Sequence, residues 1–141
     1  MKVLRIFIVP LLSLALISSI CAQKTAEKTL IKSFNLQGNN VVDLELGSNV
    51  DVIEWNSPSL RIEMIVSIEN GSETMLKSLI KAGRYNPESD ETAAGFRVYM
   101  PGLEREITVQ GKPLRDHVSY IVSIPSNVNV AEDIASTDDK K

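Results

Sequence analysis

From Leu30 onward apolar and polar residues alternate along most of the chain, the period-two pattern of strands with one buried and one wet face. Leu60, Ile62, Met64, Val66 and Ile68 share one face of a long strand. Arg61, Glu63, Ser67 and Glu69 share the other, with Ile65 the exception. Val42, Leu44 and Leu46 alternate with Asp43 and Glu45, and Gly47-Ser48-Asn49 then predicts a hairpin turn into Val50–Trp55. Asn56-Ser57-Pro58-Ser59 breaks the chain again. Further on, Phe96, Val98 and Met100 oppose Arg97 and Tyr99, and Ile107 and Val109 alternate with Glu106 and Thr108. Val118, Tyr120, Val122 and Ile124 form the last strong run, stopped by Pro125, with Val128 and Val130 as a short terminal strand.

One segment departs from this period. Met75, Leu76, Leu79 and Ile80 recur at helical spacing and predict a short helix over residues 73–82. Asn70 or Ser72 can cap its start, Gly83 suits the position past its end, and Lys81 complements the C-terminal dipole. So short a helix is marginal alone and must be held by packing against the sheet. The predicted fold class is all-β, a β-sandwich or short β-solenoid, with one short α-helix near residues 73–82.

The two ends read differently. Lys2 and Arg5 precede an apolar run from Ile6 to Ile20, followed by Cys21-Ala22-Gln23. That is the order of a secretory signal, predicted over residues 1–22 and cleaved after Ala22. Cys21 also opens a lipid-anchored alternative, but Ile20 and Ser18 stand where such signals carry a small residue and Leu. Residues 23–29 are polar and predict a flexible N-terminus, residues 30–130 a single β-rich domain, and residues 131–141 a charged flexible tail. The expected location is periplasmic or secreted, with membrane attachment only if Cys21 is lipidated.

Composition narrows the function classes. The chain has 141 residues, 23% of them charged, and a formal net charge of −3, which argues against a nucleic-acid binder. One cysteine excludes an intrachain disulfide, so a core must supply the stability. His117 is the single histidine. Asp116 beside it points to the opposite strand face, and Ser119 is about 7 Å along the strand. No catalytic set, cofactor site or metal site is predicted. The run Asn86-Pro87-Glu88-Ser89-Asp90-Glu91 has oxygen ligands at alternate positions but reads as a solvated acidic loop, because Glu91 and Arg97 stand where a calcium loop needs Gly and Glu. Lys77, Lys81 and Arg84 read as the wet face of the helix and its exit. Trp55, Tyr85 and Tyr99 are the candidate binding surface for a sugar or protein, Tyr99 the best placed because it opposes the apolar face of its strand.

The segments Val50-Asp51-Val52-Ile53-Glu54-Trp55-Asn56-Ser57-Pro58, Leu60–Ile68 and Ser119–Val130 together resemble the bacterial adhesin-type β-domains of the head-GIN or toast-rack kind. The Ala-Gln end of the leader resembles exported proteins of the Bacteroidetes. The resemblance implies a β-sandwich or short solenoid and no catalytic residues. The helix over 73–82 is an insertion relative to that pattern, and family members continue into further β-repeats where this chain ends.

The expected function is a non-catalytic, exported envelope or adhesin-like binding or structural module, its partner an envelope protein or surface glycan. The alternatives are a small periplasmic hydrolase using His117 and a lipid-anchored envelope protein using Cys21. Val118, Tyr120, Val122 and Ile124 suit either an edge strand, through which the chain could self-associate, or a central strand covered by the N-terminal one, since sequence order does not fix strand order.

Overall fold

A computed structural model describes residues 25–131. The expected leader, residues 1–22, and the expected tail beyond Ala131 lie outside these residues. Ten strands and one helix follow in the order β1 (Ala26–Asn35), β2 (Val41–Glu45), β3 (Val50–Trp55), β4 (Ser59–Ile68), α1 (Glu73–Lys81), β5 (Glu88–Thr92), β6 (Gly95–Tyr99), β7 (Thr108–Val109), β8 (Lys112–Pro113), β9 (Asp116–Pro125) and β10 (Asn129–Val130). The fold is all-β with one short helix, as the alternation implied.

Two four-stranded sheets, ordered β1-β4-β9-β3 and β10-β2-β6-β5, enclose one apolar core, and β7-β8 is a small separate hairpin. The chain is therefore a sandwich rather than a solenoid. In β4 the alternation is complete: Leu60, Ile62, Met64, Val66 and Ile68 are buried, and every residue between them is half-buried on the outer face. Val42, Phe96 and Val98 answer from the second sheet, and the rings of Phe34 and Phe96 meet edge-on, 6.2 Å between centroids.

The topology corrects four expectations. Gly47-Ser48-Asn49 does not close a hairpin: β2 pairs in parallel with β6, β3 pairs in parallel with β9, and the turn carries the chain from one sheet to the other. Gly47 and Asn49, both at positive φ, make that corner. Residues 26–29 are not a flexible end, because β1 begins at Ala26 and pairs with β4 as far as Ile68. The acidic run from Glu88 is not a loop but β5, paired antiparallel with β6. The run Val118, Tyr120, Val122 and Ile124 is not an edge, because β9 lies between β4 and β3 and spends its backbone groups on both sides.

The register shows how β9 is placed. Ile53 and Arg61 face Ser123 from opposite sides, as Val52 and Ile62 face Val122. Strands β3 and β4 are thus the two arms of a hairpin centred on Ser57, opened to admit β9. Trp55 braces the open end, its Nε1 donating to the Ser59 carbonyl at 2.8 Å. Pro125, which has no N–H, stands where the β4–β9 ladder ends.

The helix forms where its period placed it. Ser72 is the cap, its Oγ accepting from the Met75 N–H at 3.1 Å. Gly83, at φ +82°, ends the helix: its N–H bonds the Ile80 carbonyl and the Arg84 N–H bonds the Leu79 carbonyl, the two bonds of a Schellman motif. Leu76 is buried, with Met75, Leu79 and Ile80 packed against the core beside it.

Candidate functional site

Three places concentrate polar or unsatisfied groups. The first is buried. The Schellman turn delivers Arg84 and Tyr85 to the start of β9, where Arg84 Nε and Nη2 donate to the two oxygens of Asp116 at 2.6 and 3.2 Å. The Tyr85 hydroxyl donates to the same carboxylate at 2.9 Å. Arg84 Nη1 donates to the Gly102 and Arg105 carbonyls at 3.0 and 2.8 Å. Arg84 is 7% exposed. Burial opposes ionisation of Asp116, but the hydrogen bonds from Arg84 and Tyr85 and the charge of Arg84 outweigh it and hold the carboxyl below the usual range. The bond to Asp116 raises the Arg84 pKa against the opposing effect of burial. Burial, followed by the bond to Asp116, raises that of Tyr85. Four of the five Arg84 N–H groups and the Tyr85 hydroxyl point at protein acceptors, so the cluster is a structural tie joining the helix exit, the loop after β6 and β9.

Two expectations fall with it. Arg84 is not on the wet face of the helix, and Tyr85, at 3% exposure, is a core residue rather than part of a binding surface. The reason is the same for both: the turn after Gly83 points the chain inward, where an unpaired Asp116 would be costly.

The second place is a groove of about 620 Å³ between the start of α1 and the β7–β8 hairpin, lined by Glu69, Met75, Val109, Lys112, Leu114 and Arg115 among others. At its rim His117 Nε2 and Glu69 Oε1 lie 2.8 Å apart, with Arg115 Nη1 3.9 Å from Glu69 Oε2. Asp116 does point away from His117, as strand parity required, but Glu69 supplies a carboxylate that local spacing did not reveal. The signal lay in the pairing: β4 and β9 are antiparallel, with Ile68 opposite Asp116, which brings Glu69 alongside. The His117 side chain is 66% exposed.

The third place is the free side of β3 and the outer face of its sheet. Tyr120 donates its N–H to the Asn49 carbonyl at 2.9 Å, which fixes the phase of the parallel ladder. Asp51, Ile53 and Trp55 turn their backbone groups to β9, and Val50, Val52 and Glu54 turn theirs outward, where no strand follows among the described residues. Ile53 is 48% exposed on the outer face. Val52 is 42% exposed although it points to the core side, so β3 overhangs the opposing sheet. Ile31, at 57%, is a second exposed apolar side chain on this outer face, but it lies in β1 at the far edge of the sheet.

The remaining aromatic candidates separate. Trp55 lies half-buried at the end of β3, with the Arg61 guanidinium 6.0 Å from its ring. Tyr99 lies half-buried on the outer face of the second sheet, with the Arg97 guanidinium 4.8 Å from its ring. Arg97 is in turn held by Asp90, at 2.9 and 2.6 Å, and by Glu45. The bond from Arg97 lowers the Asp90 pKa. Trp55 and Tyr99 thus face away from each other on opposite sides of the sandwich and form no common surface. Among the described residues no group of three or more His, Cys, Asp or Glu side chains is placed to hold a metal ion. No family model, curated protein or solved structure matches the chain.

Proposed function

We propose that this protein is an exported, non-catalytic binding module of the cell envelope, adhesin-like in organisation, that takes hold of a partner polypeptide through β3. The observation carrying this reading is the backbone of Val50, Val52 and Glu54, which faces away from the sheet beside exposed Val52 and Ile53. Sheet edges of this kind are extended by another chain, whose main-chain bonds give affinity while side-chain neighbours give selectivity. The buried Arg84–Asp116–Tyr85 cluster is spent mainly on internal bonds and sits away from β3.

The test is hydrogen exchange on the exported chain, alone and mixed with an envelope fraction of its source cells. Slowed exchange confined to Val50–Trp55 is the expected result. Slowed exchange confined to Glu69 and residues 109–117 would instead favour the second reading, a small hydrolase using His117, which the 2.8 Å approach of Glu69 favours. Unchanged exchange in both regions would leave neither standing.

A further inference from the structure

We infer that the strand received by β3 is a cationic one, carrying Lys or Arg three residues apart with apolar β-branched residues between them, rather than a second copy of this chain. The inference rests on the proposal that β3 is the binding edge, and adds the chemistry of what binds there.

The edge is sharply patterned. Asp51 and Glu54 are both exposed, neither forms an ion pair among the described residues, and no cation lies on β3 itself. The nearest acid on the same outer row beyond β9 is Glu63, which is paired with Arg61. Between the two free acids stand Val52 and Ile53, one on each face of the strand. An added strand places one residue opposite each of these four positions whether it runs parallel or antiparallel. Positions opposite Asp51 and Glu54 are three apart and on opposite faces, so cations there pair with one acid each. The two residues between them cover Val52 and Ile53, and β-branched side chains suit that pleated, half-buried place.

A second copy fits poorly. Antiparallel pairing about a two-fold axis that uses all three outward-facing residues sets Val52 opposite its own counterpart. Asp51 then stands opposite Ile53 of the other copy, and the two Asp51 side chains become diagonal neighbours about 7–8 Å apart. Four carboxylates gather at such a junction with no cation among them on the paired strands. The sequence beyond residue 131 is no better an occupant by charge, since Glu132, Asp133, Asp138 and Asp139 outnumber Lys140 and Lys141.

The experiment is an NMR titration of the purified chain with a blocked peptide, acetyl-Thr-Lys-Val-Ile-Lys-Val-Thr-amide, against the same peptide with both Lys replaced by Glu. The Lys peptide should perturb the amides of Val50, Val52 and Glu54 and slow their exchange. The amides of Asp51 and Ile53, already bonded to β9, should gain little protection. The Glu peptide should bind about tenfold or more weakly, two attractive pairs having become two repulsive ones. Val52→Pro removes one outward N–H without touching the β9 ladder, so it should abolish binding while Trp55 fluorescence shows the fold intact. The double variant Asp51→Lys, Glu54→Lys should reverse the preference between the two peptides. Equal binding of the two peptides would overturn the cationic partner while leaving β3 as the binding edge. Protection of β3 by the envelope fraction but not by the Lys peptide would separate the two proposals in the same way. Self-association of the chain through β3 would overturn the inference in favour of a second copy. No perturbation of β3 under any of these conditions would overturn both proposals.

Discussion

Replacing Asp116 with Asn should remove a large part of this protein's stability. The substitution keeps shape and volume but leaves the Arg84 guanidinium, at 7% exposure, without its counter-charge. Two guanidinium bonds at 2.6 and 3.2 Å and one from Tyr85 at 2.9 Å converge on this carboxylate, whose side chain is 10% exposed. Breaking one partner of a buried pair typically costs about 3–5 kcal/mol. Against a total of about 5–15 kcal/mol for an ordinary domain, that is a large loss. Urea unfolding followed by Trp55, the single tryptophan, is the assay. With a slope of about 2 kcal/mol per molar, the midpoint should fall by about 2 M. Acid provides an independent arm. The folded pKa of Asp116 lies below its unfolded value, so its contribution is present above about pH 4 and is lost as pH falls through the folded pKa. The native chain should therefore show a stability loss below about pH 4 that the Asn variant largely lacks. Replacing both partners with apolar residues, Arg84→Met with Asp116→Leu, should recover part of the loss, because the desolvation cost disappears with the charges. A loss below about 1 kcal/mol for Asp116→Asn would refute the reasoning, since an exposed pair behaves that way.

Three smaller perturbations follow from the packing. Leu76→Ala, at a helix position 2% exposed, should cost about 2–5 kcal/mol in urea unfolding, and Lys77→Ala on the opposite face less than about 0.5 kcal/mol. Gly102→Ala should cost about 1–3 kcal/mol by thermal or urea unfolding, because a Cβ there would overlap the Arg84 backbone. The Tyr120 hydroxyl is buried without a hydrogen-bond partner, and burial, with the charge of Asp116, pushes its pKa up to about 12. Tyr120→Phe should therefore raise stability by about 1–3 kcal/mol, and a loss of that size would reveal a bond to that hydroxyl.

The parts of the fold visible in the sequence are those governed by local periodicity. Leu60–Ile68 alternates in the structure as it does on paper, and the helix begins at Ser72 and ends at Gly83 because cap and turn chemistry act over a few residues. What failed was pairing. Gly47-Ser48-Asn49 has the composition of a hairpin turn, but a corner between two sheets needs the same positive φ values. Val118–Ile124 has an apolar face whether it is central or at an edge, so nothing local distinguishes the two. The aromatic candidates failed at Tyr85 because its orientation depends on the turn after Gly83 and on Asp116, 31 residues away. The approach of Glu69 to His117 depends likewise on the antiparallel β4–β9 register.

The same non-local step explains why β3, like β1 on the other side, lies at an edge of its sheet. Its predecessor, β2, departs to the other sheet, and its successor, β4, is separated from it by β9. Inserting β9 pins Asp51, Ile53 and Trp55 on one side and sets the alternate residues in a straight row on the other. The Trp55–Ser59 bond braces the opened end of the arch. Natural edges are commonly blunted by Pro, a bulge or a lysine, and Val50–Trp55 carries none of these on the strand. Its guard is acidic instead: Asp51 and Glu54 repel a like edge and leave the strand open to an unlike one. An edge protected by charge of a single sign discourages self-pairing and admits a complementary chain by the same electrostatics.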